Sequence, residues 1–498
     1  MESQLALGRL AAALAPLAVH VHGDASVPLR RLVQDSRLVL PGDLFAVRAG
    51  GRTSGIEHVA EAARRGAVAL LGGPGVAEAA ARHGLPALEV DDVRLAIALG
   101  AEALAGYPSR SLEVVAITGT NGKTTTSFLV QRMIDACGGR CARLGTLGWS
   151  LGADEDASSL TTPEADAVAR WAARSRDLGA THLVLEASSH ALEQKRLHGT
   201  RVAVGVFTNL TQDHLDYHGT LEAYAAAKLR LFTELSPRTA VIHLDDPLGE
   251  RFAAAATGRV LTVSRRRPAS LQAVGAVVDA RGLRATIVAP SGELYLESRL
   301  VGAHNLENVL AALGVIEALG LDLRRAVDAL ADAPGVPGRL ERCDAPSDDV
   351  LVLVDYAHTP DALERALAAV RALGPGRVLC VFGCGGDRDP AKRPLMGAAV
   401  GRGADAAWVT SDNPRSEPPR AILDAILPGL TPSGIPYEVE PDRAIAIERA
   451  VRAARPGEVV LIAGKGHETY QIVGDETRTF DDRVEARRAL ARRRGEVG

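Results

Sequence analysis

Short runs of apolar residues, separated by polar stretches of helical period, recur along almost the whole chain. Near the start, Asp43–Val47 and Val68–Leu71 read as buried strands and Ile56–Arg65 between them as a helix. The apolar segment Leu10–Val19 follows Glu2 and a single Arg9 and lacks a small-residue cleavage site, so it is expected to be a helix of the first domain rather than a secretion signal. A second block opens with the strand-like run Leu112–Ile117, passes a glycine-rich turn and enters an amphipathic helix over Thr124–Ala136. Leu183–Glu186, Val202–Thr208 and Ala240–His243 follow as buried strands with helical sequence between them. That alternation predicts a parallel sheet with crossover helices. Val350–Val354, Arg377–Phe382, Ala406–Thr410 and Val459–Ala463 predict a second doubly wound sheet, beyond a turn-rich hinge at Pro334, Gly335, Pro337 and Gly338.

Length and composition fit this division. At 498 residues the chain has room for three domains of about 150 residues each, and 47% hydrophobic with 24% charged residues is the balance of a globular protein. The expected boundaries are 1–110, 111–338 and 339–498. A net charge of −4 without a dense basic block argues against nucleic acid as the partner and leaves small anionic ligands. The five cysteines, Cys137, Cys141, Cys343, Cys380 and Cys384, form no CxxC pair and suit a reducing, cytoplasmic compartment. No apolar run reaches the roughly 20 residues of a membrane-spanning helix.

The strongest chemical signal is Gly119-Thr120-Asn121-Gly122-Lys123-Thr124, with Thr125 following, where a strand meets a helix N-terminus. Backbone N–H groups there cradle phosphates, Lys123 neutralises them and Thr124 is placed to ligate magnesium. Ile117 stands where the first glycine of the general phosphate-loop pattern belongs, so the loop is a variant. Glu186 closes a buried strand and is the natural carboxylate for the same magnesium; His214 arrives at the same sheet edge from the next strand. The fold class is therefore α/β, with a central P-loop parallel-sheet ATPase domain and a C-terminal Rossmann-like domain. His214 and His218 are four residues apart, but the HExxH pattern and further zinc ligands are missing.

Taken together, GTNGKTT at Gly119–Thr125, LTTPE at Leu160–Glu164, EASSH at Glu186–His190, NLTQDHLDYH from Asn209, AAK at Ala226–Lys228, HNLEN at His304–Asn308, DYAHTPDAL from Asp355, FGCGGDRD from Phe382, DNPR from Asp412 and GKGHE from Gly464 resemble the Mur ligase superfamily, and within it the muramoyl tripeptide synthetase branch, along essentially the whole chain. The resemblance implies an ATP-dependent amide-bond ligase of bacterial cell-wall synthesis, working through an acyl phosphate with closure about the hinge, and a monomer. It implies that Lys228 is carbamylated and, with Thr124, Glu186 and His214, holds magnesium. By the same resemblance His304, Asn305 and Asn308 contact adenine, and Arg339 and Asp355 contact ATP. The first domain would hold the UDP end through Gln34, Ser36 and the Gly51-Arg52-Thr53 turn. Thr161, Thr162, Ser188, Gln194 and Arg196 match positions for the muramoyl dipeptide. Ala187 departs from the valine common in relatives.

The amino acid added is expected to be set by Asp412, Asn413, Pro414 and Arg415 with Arg388, Gly464 and Glu468. Meso-diaminopimelate carries a second carboxylate that Arg415 can pair bidentately, and a second ammonium for Glu468; lysine offers no such carboxylate. In the family DNPR marks the diaminopimelate-adding members. Folylpolyglutamate synthetase, a sister Mur ligase or a nucleotide-dependent switch would share the phosphate loop without this pocket.

Overall fold

The computed structural model describes residues 5–15, 17–48, 55–158, 160–331, 333, 335–374 and 376–495. Two compact units form: Met1–Ala273 with Val288–Gly292 and Glu307–Ala326, and Val274–Ile287 with Glu293–Leu306 and Val327–Gly498.

Among the described residues the first unit contains two large sheets and a short antiparallel pair, Leu5–Ala6 with Pro28–Leu29. The smaller of the two large sheets comprises β1 (Val19–His22), β2 (Leu32–Val33), β3 (Leu44–Val47), β4 (Ala69–Gly72) and β5 (Ala87–Val90), in the order β1-β5-β4-β3-β2. β3, β4 and β5 are wholly or largely buried, with Leu44 and Leu71 on one face and Phe45 and Leu70 on the other, as continuous apolar runs require. Leu10–Val19 does not form a single helix. The helix covers Leu7–Ala13, and Val19 instead opens β1, which pairs antiparallel with β5 through Val19↔Val90. Long-range strand pairing outweighs the local helical pattern there. Helix α1 (Val93–Leu104) follows, its first turn capped by Asp92, whose Oδ1 accepts from Leu95 N at 3.0 Å.

The larger sheet is built from β6 (Glu113–Thr118), α2 (Lys123–Ala136), β7 (Cys141–Gly145), β8 (Gly148–Leu151), β9 (Asp154–Asp156), α3 (Ala165–Asp177), β10 (His182–Glu186), α4 (Ser189–Glu193), β11 (Val204–Phe207), α5 (Leu215–His218), α6 (Leu221–Thr233), β12 (Thr239–His243) and β13 (Arg259–Ser264). Eight neighbouring strands of this sheet run β9-β8-β7-β10-β6-β11-β12-β13, parallel from β7 to β13 and antiparallel at the β8 and β9 edge, and the strands Leu271–Asp279, Gly282–Ala289 and Gly292–Ser298 continue it beyond β13. The register Glu186↔Ile117 brings the end of β10 beside the end of β6, so both following loops leave from one edge. The expected strands are observed to within two residues at each end.

In the second unit β14 (Leu351–Asp355), β15 (Val378–Phe382), β16 (Ala406–Val409), β17 (Tyr437–Val439) and β18 (Val459–Ala463) form a parallel sheet in the order β14-β18-β15-β16-β17. Helices α7 (Pro360–Arg371), α8 (Lys392–Gly403), α9 (Pro419–Leu430), α10 (Arg443–Ala453) and α11 (Asp482–Arg494) surround it. One apolar core gathers Leu363, Met396, Phe382 and Leu461; the other gathers Val352, Trp408, Ile447 and Ile462. A hairpin of β19 (Tyr470–Val473) and β20 (Glu476–Thr479) follows β18, and Val473 bridges in parallel to Arg415. No helix among the described residues is long and apolar enough to cross a membrane.

Candidate functional site

In the first unit the phosphate loop is held from several sides. Thr120 N donates to Asn209 O at 2.8 Å and Asn121 N to the Asn209 side chain at 2.9 Å, which ties the loop to the end of β11. Lys123 Nζ donates to the carbonyls of Gly119 and Thr120, both at 2.9 Å, and so curls over the loop. Gly122 has φ 85°, and a Cβ there would collide with the side-chain oxygen of Asn308. Asn308, one of the residues proposed to meet adenine, is thereby placed against the loop, and also accepts from Thr126 Oγ1 at 3.4 Å. Replacing Gly122 with alanine is expected to destabilise the fold by about 1 kcal/mol or more, because the positive φ and the collision add. Thermal melting without nucleotide checks this.

Glu186, 1% exposed, accepts from Thr124 Oγ1 at 2.9 Å, from Thr146 Oγ1 at 3.1 Å and from Thr146 N at 2.8 Å. Thr146 also meets Thr161, with Oγ1 atoms 3.1 Å apart. A carboxylate and hydroxyls at the start of α2 are hard oxygen donors of the kind magnesium takes, along with phosphate oxygens and water. Among the described residues no group of three His, Cys, Asp or Glu side chains is arranged to hold a metal unaided.

Lys228 lies on α6 and is 1% exposed. Its Nζ donates to Gly119 O at 2.8 Å and sits 4.4 Å from the centre of the Tyr224 ring. Burial, reinforced by the positive charge of Lys123 and opposed by Asp213, holds its pKa well below the usual lysine value. This amine is buried against the phosphate loop, where an ordinary helical lysine would lie in solvent.

His214 precedes α5 with φ 51°, outside the helix that carries His218, yet both rings pack against His190, at 5.0 and 5.4 Å, and against Tyr224. His218 Nε2 also lies 2.9 Å from Ser189 Oγ.

A second group lies alongside. Thr162 Oγ1 donates to Glu186 O at 2.7 Å, and Ser188 N donates to Thr162 Oγ1 at 3.0 Å. Arg196 donates to Thr162 O and to Gln194 Oε1, each at 2.8 Å, and pairs with Glu164 at 3.1 Å. Arg48, after β3, pairs with the same Glu164 at 3.1 Å. Arg196 Nε is buried with no hydrogen-bond partner among the described residues. Gln34 Nε2 donates to Asp166 at 2.6 Å and Ser36 Oγ to Glu61 at 2.7 Å. Gly51, Arg52 and Thr53 lie outside the described residues.

In the second unit the DNPR and GKGHE segments meet. Asn413 Nδ2 donates to Glu468 Oε2 at 2.9 Å, and Asn413 Oδ1 accepts from Lys465 Nζ at 3.1 Å. Lys465, wholly buried, also stands 3.3 Å from Glu468 and 3.6 Å from Asp412. Asp412 Oδ1 has no hydrogen-bond partner among the described residues. Pro414 carries the chain into Arg415, which has φ 51°; its N donates to Ile472 O at 3.1 Å and its carbonyl accepts from Gly474 N at 2.7 Å. The guanidinium donates to Gly386 O at 2.8 Å, and, after the hydrogen bonds from Ser416, its positive charge helps hold the Asp387 carboxyl below its usual pKa. Arg388 is exposed on the neighbouring loop. Gly464 N donates to Asp355 O at 3.0 Å.

Four of the expected nucleotide residues have local neighbours. Asp355 accepts from Leu340 N at 2.8 Å and Ala357 N at 2.9 Å, and burial raises its pKa. The Arg339 guanidinium lies 5.3 Å from the Tyr356 ring centre. Asn305 Nδ2 donates to Val301 O at 2.8 Å, and the His304 ring lies beside Gly302.

These arrangements can be set beside known proteins. Residues 117–316 match the family model of the Mur ligase middle domain, and residues 338–466 that of the Mur ligase glutamate ligase domain. A curated protein of Gloeobacter violaceus, named UDP-N-acetylmuramoyl-L-alanyl-D-glutamate–2,6-diaminopimelate ligase, is 44% identical over 98% of this chain and 99% of its own. The chain belongs to the Mur ligase family. A relative of the same name from Geobacillus thermodenitrificans is 41% identical to this Mur ligase over 95% of the chain and 97% of its own. A solved structure of a ligase of that name superposes with a TM-score of 0.75 at 35% identity, covering 99% of both chains.

Sequence reasoning passed over several residues that the Mur ligase fold brings to these sites. Thr146 sits in a β-turn and meets Glu186 only through the sheet order. Tyr224, 1% exposed, covers Lys228 from one helical turn away, a spacing that was visible on α6. Arg48 and Lys465 stand within or beside recognised segments but gave no separate signal.

Proposed function

We propose that this Mur ligase joins meso-diaminopimelate to UDP-N-acetylmuramoyl-L-alanyl-D-glutamate with hydrolysis of ATP to ADP and phosphate, in peptidoglycan synthesis. The observation that carries the reading is the whole-length likeness to ligases of that name. The DNPR loop, which carries the Arg415 guanidinium, supports the choice of amino acid. Four of the five thiols are buried and all are free, which is consistent with work in the cytoplasm.

In the reaction the dipeptide's D-glutamyl carboxylate attacks the γ-phosphorus, ADP leaves, and an acyl phosphate forms. The amine of diaminopimelate then attacks the acyl carbon, phosphate departs, and the amine proton passes to solvent. Both partners of the first step are anions, so the barrier is largely electrostatic. Lys123 and the N-terminus of α2 draw the triphosphate into the loop. Thr124 and Glu186, with His214 and Lys228 as its carbamate, would hold magnesium, which supplies the charge neutralisation that lets two anions meet. The depressed pKa of Lys228 favours the neutral amine, whose lone pair can attack carbon dioxide; one N–H proton goes to solvent and the lysine becomes an anion. Arg196, with a buried donor to spare, would bind a carboxylate or amide of the dipeptide, helped by Thr161, Thr162, Ser188 and Gln194.

With ATP and both substrates, ADP and the tripeptide nucleotide should appear in equal amounts by mass spectrometry, and omission of either substrate should stop both. ADP release that ignores both substrates would favour a nucleotide-dependent switch.

A further inference from the structure

We propose that Arg443 is a positioning residue that fixes the DNPR loop against the GKGHE loop and thereby sets the affinity for the amino-acid substrate. Arg443 opens α10 and Asp482 opens α11, and both side chains are completely buried. Arg443 Nε and Nη2 grip the two carboxylate oxygens of Asp482, each at 2.7 Å. The same guanidinium reaches two backbone carbonyls: Nη2 donates to Ala463 O at 3.0 Å and Nη1 to Ser411 O at 3.3 Å. Ala463 is the last residue of β18, directly before Gly464, and Ser411 directly precedes Asp412. One planar group is thus anchored by a helix N-terminus and holds the roots of both loops that carry Asp412, Asn413, Arg415, Gly464 and Glu468.

A buried ion pair is not required for stability, since apolar side chains of similar volume often serve as well or better. Apolar side chains cannot donate to two carbonyls at once, and a lysine cannot present a rigid fork. The fit at the loop roots is close: a Cβ on Gly464, at φ 123°, would lie 3.1 Å from Asp412 Oδ2 and 3.8 Å from Arg443 Nη2. Any shift of either root therefore moves the Asp412 carboxylate relative to Gly464. It also moves Asn413 relative to Glu468, which are joined at 2.9 Å. Arg443 reaches the substrate only through these loops.

The inference rests on the proposed function for its kinetic reading, so a second readout is chosen that does not. Arg443→Lys keeps the charge and removes the fork; Asp482→Asn keeps the shape and weakens the anchor. Both should raise KM for diaminopimelate by about tenfold or more, with kcat and KM for ATP within about twofold. Hydrogen exchange at residues 411–415 and 463–468 should accelerate in both variants. Leu363→Ala, a truncation in the apolar core on α7, serves as the control for general loss of stability: it should lower the melting temperature without changing KM or the exchange of those loops. Unchanged exchange and KM in a folded Arg443→Lys or Asp482→Asn would overturn the inference, as would equal changes in the Leu363→Ala protein. If the wild-type protein does not ligate diaminopimelate the proposed function fails, and loop exchange alone still decides the role of Arg443.

Discussion

Replacement of Lys228 with alanine is expected to reduce ligation by about a hundredfold or more while leaving the fold intact. The estimate follows from removing one electrostatic group aimed at the site of developing charge. The physical case starts from burial. Burial, with the charge of Lys123 beside it, shifts the amine toward its neutral form, the form whose lone pair would attack carbon dioxide in the proposed reaction. The resulting anion would stand beside Gly119 O and Lys123, where the triphosphate and its magnesium arrive. Loss of the side chain also removes the hydrogen bond to Gly119 O and leaves a cavity beside Tyr224, so a modest fall in melting temperature is expected alongside the loss of activity. Short-chain carboxylic acids added to the Lys228→Ala protein should restore part of the activity by supplying an anion to the vacated space. Initial rates with and without added acid check both statements, and full activity in the alanine variant would remove the carbamate from the account.

Arg415→Ala is expected to weaken use of diaminopimelate by on the order of 2–5 kcal/mol, the cost of leaving a desolvated substrate carboxylate unpaired. The backbone argues that the residue is held for this purpose. Its φ of 51° is uncommon outside glycine, and the conformation is fixed by hydrogen bonds on both sides to β19 and the hairpin turn. The guanidinium donates to Gly386 O and its charge also acts on the Asp387 carboxyl, so a substrate carboxylate would share this arginine with Asp387. Glu468, proposed for the distal ammonium, already accepts from Asn413 and faces Lys465, so it would share rather than dedicate its charge. The expected effect should fall on KM for diaminopimelate far more than on ADP formation at saturating amino acid. Steady-state kinetics with diaminopimelate as the varied substrate check it.

Much of this was legible before any coordinates. The strands were readable because most are fully buried and therefore uniformly apolar, and Lys123 and Thr124 because a phosphate loop must place glycine, lysine and hydroxyl at fixed spacing after a strand. Glu186 could be suspected from its place at a strand end. The rest depended on contacts that spacing does not encode. Leu10–Val19 reads as one helix, yet the helix ends at Ala13 and Val19 opens β1, where it finds a partner in Val90. His214 and His218 have helical spacing, but His214 stands outside α5 at positive φ, and what brings both rings together is their shared packing on His190 and Tyr224. Lys228 looks like any lysine on an amphipathic helix until Tyr224 and Gly119 close around it. Arg443 and Asp482 lie 39 residues apart and meet only because α10 and α11 pack together.

The most direct test of the central claim is phosphate release from ATP with UDP-N-acetylmuramoyl-L-alanyl-D-glutamate present, comparing meso-diaminopimelate with L-lysine as the second substrate. The account predicts release that requires the dipeptide and strongly favours diaminopimelate. Equal or better use of lysine would contradict it, and would remove Arg415 as the residue that selects the amino acid.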